Sequence, residues 1–136
     1  MAALSGLGKF KNTGLLVIRL GLGFMFVSAH GYPTLMGGPE RWEAVGRAMA
    51  NLGLDFAPLF WGLSAALVET IGGILFALGL FFRPTALALA FVMLVAATSY
   101  LAGGTGLFGA AHPIEVGIVC LGFIFIGPGK YSIDKR

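Results

Sequence analysis

Five residues able to do chemistry stand in stretches otherwise too apolar for them: Arg19, His30, Glu69, His112 and Glu115. Glu69 lies near the middle of WGLSAALVETIGGILFALGLFFR, which runs from Trp61 to Arg83. At about 1.5 Å of rise per residue, that stretch is long enough to cross a bilayer. An acid at such depth costs roughly 2.5–3.5 kcal/mol on insertion scales, so it should face the bundle interior and find a partner. A carboxylate and an imidazole can pass protons as general acid and base. A guanidinium offers a planar fork of donors. Together these groups suit a lipid-soluble ligand whose carbonyls need hydrogen-bond donors and whose reduction needs protons, and a quinone is such a ligand.

Each residue also has a purely structural explanation. Glu69 could be a neutralised acid, or an ion-pair partner of Arg19 that sets helix register. Arg19 could snorkel to headgroups, and His30, near a helix end, could cap carbonyls. Glu115 could satisfy the free N–H groups in the first turn of a last helix, with His112 as its N-cap. Gly72, Gly73 and Gly79 suit close helix packing. Taken jointly, an arginine, two histidines and two glutamates exceed what register-setting needs in so short a bundle.

The elements that position them follow from composition. The 136 residues are 57% hydrophobic and 11% charged, against about 25% charged in soluble domains, so the chain is expected to be embedded in lipid. Its length fits one domain, residues 1–136, with no second. The net charge of +3 comes from basic residues gathered mostly at the two ends. They read as topology signals and not as a nucleic-acid surface. The single cysteine, Cys120, excludes an intramolecular disulfide and a C-x-x-C redox pair. Lys9, Lys11, the apolar run from Gly14 and Val27-Ser28-Ala29 resemble a secretory leader, but Arg19 interrupts the apolar run, so a retained first helix is expected.

The expected architecture is an all-α integral membrane protein, a four-transmembrane-helix bundle with spans at about 14–31, 56–82, 85–101 and 113–127. Tyr32-Pro33 should end the first span. Between spans one and two, ERWEAVGRAMANLG places Trp42, Val45, Met49 and Leu52 on one face and Glu43 and Arg47 at i,i+4. This segment predicts one short interfacial amphipathic helix anchored by Trp42. His112-Pro113 should open the fourth span after a Gly-rich loop over 102–111, with Pro at its first position. Four spans put both termini on one side, with Lys9, Lys11, Arg83, Lys130, Lys135 and Arg136. The positive-inside rule makes that side the cytoplasm of a bacterial-type membrane.

Depth can be counted from that side at about 1.5 Å per residue, which places His30 roughly 24 Å up, Glu69 roughly 20 Å, Glu115 roughly 18 Å and His112 roughly 22 Å. Thr98, Ser99 and Tyr100 fall at a similar level. Arg19, Phe26 and His30 share one stripe, and Glu69 is the expected group to receive it.

The order Val-Ile-Arg19-Leu-Gly, His30-Gly31, Glu69-x-x-Gly72-Gly73 and Gly79-Leu80-Phe81-Phe82-Arg83, closed by Gly-Pro-Gly-Lys-Tyr-Ser-Ile-Asp over 127–134, resembles the DoxX family. Thr34 departs from it, because many members carry a lysine there. The resemblance covers nearly the whole chain and implies a four-helix membrane subunit associated with quinol oxidase and thiosulfate:quinone oxidoreductase. The expected ligand is a quinone held by Arg19, Phe26, Glu69, Gly73, Phe76, Glu115 and His112, with Glu69 and His30 handling protons. No flavin fingerprint, iron–sulfur cysteine cluster or P-loop is present, so electrons should come from a redox partner protein. Membrane lipids are the other expected partners, and a homo-oligomer is an open option. The alternatives are a non-catalytic scaffold or assembly factor and, less favoured, a haem held by His30 and His112 with no other metal site.

Overall fold

Four helices among the described residues are long and apolar enough to cross a membrane: Ser5–Met36, Pro58–Leu78, Phe82–Ala102 and Gly106–Ile126, the first to fourth spans. The structure, a computed structural model, describes residues 3–134; Lys135 and Arg136 lie outside the described residues. No strand occurs among them. The outer surface carries Val17, Phe24, Ile71, Leu87, Ile118 and Phe125, while Arg19 and Glu69 are buried. Apolar outside and charged inside is the arrangement that lipid as solvent selects. This is an integral membrane bundle.

Each span gives one phenylalanine to the centre of the core: Phe26, Phe76, Phe82 and Phe123. Phe76 meets Phe26 edge-on at 6.4 Å and Phe123 at 5.4 Å, and Phe82 at 4.9 Å. Such pairs contribute roughly 0.5–1.5 kcal/mol each beyond burial. Phe26 and Phe76, expected beside a ligand, are in the core.

Several helix boundaries differ from expectation: the first span begins at Ser5 and not near Gly14, the third at Phe82 and not Thr85, and three further differences bear on the site. The first span does not stop at Tyr32-Pro33 but continues to Met36. Phe26–Gly31 widens into a π-helical segment, with the Tyr32 N–H reaching back to the Val27 carbonyl. Pro33 has no N–H to donate and its ring crowds the preceding turn, so the wider turn makes room for it. The fourth span begins at Gly106, not at Pro113, which sits inside it. Its 21 residues reach roughly 31 Å, enough for the hydrocarbon core without a dimple. Glu115 is therefore not in a first turn and His112 is not an N-cap. Membrane helices tolerate glycine and proline that would break soluble ones, which is why the Gly-rich stretch is mostly helix and not loop. The second span ends at Leu78, because Gly79 turns left-handed (φ 69°). The Gly79 N–H then bonds the Phe76 carbonyl (3.2 Å) and the Leu80 N–H the Leu75 carbonyl (3.0 Å).

Between spans one and two, Gly38–Gly46 is helical and Arg47–Leu52 continues as tighter 3-10 turns. Small residues bring this segment onto the second span. A Cβ on Gly46 would overlap the Pro58 carbonyl, and one on Gly62 would overlap the Trp42 backbone. The Trp42 indole N–H donates to the Thr34 and Leu35 carbonyls (3.0 and 3.2 Å), tying the segment to the end of the first span. Glu43 and Arg47 do pair, at 2.9 Å on the exposed face, a contact worth little.

The tail after the fourth span is a clasp. The Lys130 N–H donates to Asn12 Oδ1 (2.9 Å), which brings both ends of the chain to one end of the bundle. The Ile133 and Asp134 N–H groups donate to the Leu78 and Gly79 carbonyls (3.1 and 2.8 Å). In return the Asp134 carboxylate accepts the Phe81 and Phe82 N–H groups (3.0 and 2.8 Å). It caps the third span from a distant part of the chain. Phe81 is left-handed (φ 48°), a conformation costly for a bulky side chain, and Asp134 helps hold it there. Asp134→Ala should lower stability by roughly 1–2 kcal/mol, read as a lower melting temperature in detergent. An unchanged melting curve would remove the cap from this account.

Candidate functional site

Arg19 is 1% exposed, and its guanidinium makes four hydrogen bonds to backbone carbonyls. Nε donates to the Phe76 carbonyl (3.3 Å), Nη1 to those of Pro128 and Tyr131 (2.9 and 2.8 Å), and Nη2 to that of Ala77 (2.8 Å). The last turn of a helix leaves carbonyls without intrahelical partners, and in the second span Arg19 serves two of the residues there. The expected Arg19–Glu69 pair is not formed. Glu69 lies seven residues before Phe76, roughly 10 Å along the span. The arginine bonds where it does because carbonyls of the second span and the tail converge on it, and its planar fork matches several of them at once.

A cavity of about 350 Å³ opens at the other end of the bundle. It lies among all four spans and the Gly38–Leu52 segment, and its size is that of a site for a small organic ligand. Its polar wall holds His30, Glu69, Trp61, Arg41, Tyr100 and His112, and Val68, Phe91, Val92 and Met93 contribute to its apolar wall. Glu69 is 7% exposed. No hydrogen bond or ion pair to its carboxylate is found among the described residues. Arg41 is near enough to act on it electrostatically. His30 and His112 face each other with Nε2 atoms 3.2 Å apart and rings stacked at 5.1 Å. In such a pair one ring donates and the other accepts, with the roles set by the tautomers, and the contact joins the first and fourth spans. Among the described residues, Trp61 Nε1 is buried with no hydrogen-bond partner, although its ring is held by Phe56 and Phe60 at 5.9 and 5.1 Å. An unmade buried N–H costs roughly 1–3 kcal/mol, and this one belongs to a residue of the cavity wall.

The structure thus brings His30, Glu69 and His112 together. It leaves Arg19, Phe26, Gly73, Phe76 and Glu115 out of the cavity wall. Gly73 is where the first and second spans touch: a Cβ there would meet Val27, Phe26 and the Gly23 carbonyl at 2.9–3.0 Å. Glu115 is on the exposed surface of the fourth span. Arg41 and Trp61 belong to the cavity but were not expected there from the sequence. Arg41 and Trp61 each sit at the edge of an apolar stretch, where topology and interface anchoring explain them equally well. Thr34, the point of departure from the resembled pattern, is 5% exposed and on the cavity wall. No three of His, Cys, Asp and Glu among the described residues are grouped closely enough to hold a metal ion.

The DoxX family model matches the chain over residues 14–103, from the first span to the end of the third. No curated protein and no solved structure matches.

Proposed function

Because the chain belongs to the DoxX family, we propose that it is the ligand-holding subunit of a membrane redox system, and that a quinone headgroup sits in the His30–Glu69–His112 cavity. The observation that supports this most is that one cavity is lined both by Trp61, whose N–H has no partner among the described residues, and by Glu69, whose buried carboxylate has none there either. A quinone offers two carbonyls, which take up electrons and protons together. Trp61 Nε1–H can donate to one carbonyl, and Val68, Phe91 and Met93 can enclose the ring. Glu69 can hold a proton at its carboxyl oxygen, and the His30–His112 pair can pass one between Nε2 atoms toward the exposed edge of His112. Arg41 supplies the positive charge at this end, where many relatives carry a lysine in place of Thr34. Electrons come from a partner protein. The termini lie in the cytoplasm of a bacterial-type membrane, which places the cavity toward its outer face.

Purification in mild detergent followed by organic extraction and mass analysis should yield stoichiometric quinone. Trp61→Phe and Glu69→Gln should each lower retention about tenfold or more, as expected for loss of one buried hydrogen bond, with melting unchanged. Phospholipid alone in the extract, or a Glu69→Gln variant that merely folds poorly, would favour a scaffold. Arg19 supports that second account, because it is a buried charge whose contacts are all structural.

A further inference from the structure

Outside the polar cavity, the third and fourth spans line a second space of about 320 Å³. Every residue along it is apolar, and Leu87, Leu94, Ile118 and Leu121 at its rim are exposed on the lipid-facing surface. It adjoins the polar cavity: Phe91, Met93 and Pro113 line both and stand between them. Its floor is cut from small groups: Ala90, Ala97 and Gly117, where a Cβ would stand 3.4 Å from Met93 Cβ.

We propose that this groove is the exit for the isoprenoid tail of the quinone whose head occupies the polar cavity; the proposal rests on that assignment of the cavity. A headgroup enclosed among four spans needs a way out for its tail. The polar wall of His30, Glu69 and Arg41 is closed to hydrocarbon by the cost of desolvating those groups. The groove is an apolar space that reaches lipid and meets the cavity across the side chains of Phe91, Met93 and Pro113, which a tail has to pass between. A tail gains almost no hydrophobic free energy by leaving lipid for the groove, since both are hydrocarbon. The groove therefore acts by shape. It admits ligands with a linear apolar chain on the ring edge facing Phe91 and Pro113, and a plug should exclude them sterically while leaving small headgroups unaffected.

The test uses the full-length protein in detergent and two probes, a benzoquinone with a short isoprenoid tail and the same headgroup with a methyl in its place. Binding is read as quenching of tryptophan emission, Trp61 being one of the chain's two tryptophans. Gly117→Leu should weaken the tailed probe about tenfold or more and leave the methyl probe within about twofold. Ile118→Phe, placed on the lipid-facing rim and adding no tryptophan emission, should act in the same direction if Gly117→Leu folds poorly. Equal weakening of both probes, or of neither, in a folded variant would overturn the groove and leave the cavity assignment standing. Failure of the native protein to bind either probe would overturn both, and a phospholipid found bound along the groove would overturn the tail assignment alone.

Discussion

Arg19→Met should destabilise the bundle by roughly 3–5 kcal/mol, because it removes a buried donor from four carbonyls, of which that of Phe76 keeps a second bond, from the Gly79 N–H. The carbonyls of Phe76 and Ala77 end the second span, while those of Pro128 and Tyr131 belong to the tail. Removing the guanidinium should release the tail from the bundle, and the Asp134 cap on the third span with it. The loss then exceeds that of Asp134→Ala alone. Arg19→Lys keeps the charge but has three donors on one nitrogen and no fork, so an intermediate loss of roughly 2 kcal/mol is expected. Melting of both variants in detergent, with limited proteolysis of the C-terminal segment, checks the order. Equal melting of the native protein and Arg19→Met would reject the clasp. Retention of quinone by whatever Arg19→Lys protein remains folded would show that the arginine acts on the fold and not on the ligand.

Gly62→Ala should cost about 1–3 kcal/mol or more and should also damage the cavity. The added methyl overlaps the Trp42 carbonyl, carbon and Cα, which are backbone atoms unable to rotate away. The Gly38–Gly46 helix must then lift from the second span. That helix carries Arg41, Val45 and Gly46 of the cavity wall, so ligand affinity should fall together with stability. Gly46→Ala should behave alike, through the Pro58 carbonyl. Gly21→Ala is the control: a Cβ there meets nothing within 4 Å, and helix propensity favours alanine by about 1 kcal/mol. It should leave melting unchanged or slightly raised. Circular dichroism melts of the three variants decide it. A Gly62→Ala protein as stable as Gly21→Ala would mean that the two helices do not approach so closely.

Much of this protein is legible in one dimension because lipid imposes a one-dimensional rule. A span must be about 20 apolar residues long and must satisfy its own backbone, so the number of spans follows from hydropathy alone. The meeting of His30, Glu69 and His112 follows from rise per residue once the up–down order is assumed, since depth is a linear coordinate. Helix ends obey no such rule here. Pro33 and Pro113 are breakers in water, but the first span absorbs one with a π-helical turn and the fourth carries the other inside it. Depth also says nothing about which way a side chain points around the axis or how far its neighbours' backbones reach. Arg19 and Glu69 look like partners by charge, yet the arginine is engaged by carbonyls contributed by residues 76, 77, 128 and 131. No local pattern announces that convergence. The same holds for Asp134, a tail residue that caps a helix more than fifty positions earlier in the chain, and for Trp61, whose buried indole N–H has no partner among the described residues. Composition and spacing determined the solvent, the spans and the level of the site. Three-dimensional packing alone decided which charge became structure and which remained open to a ligand.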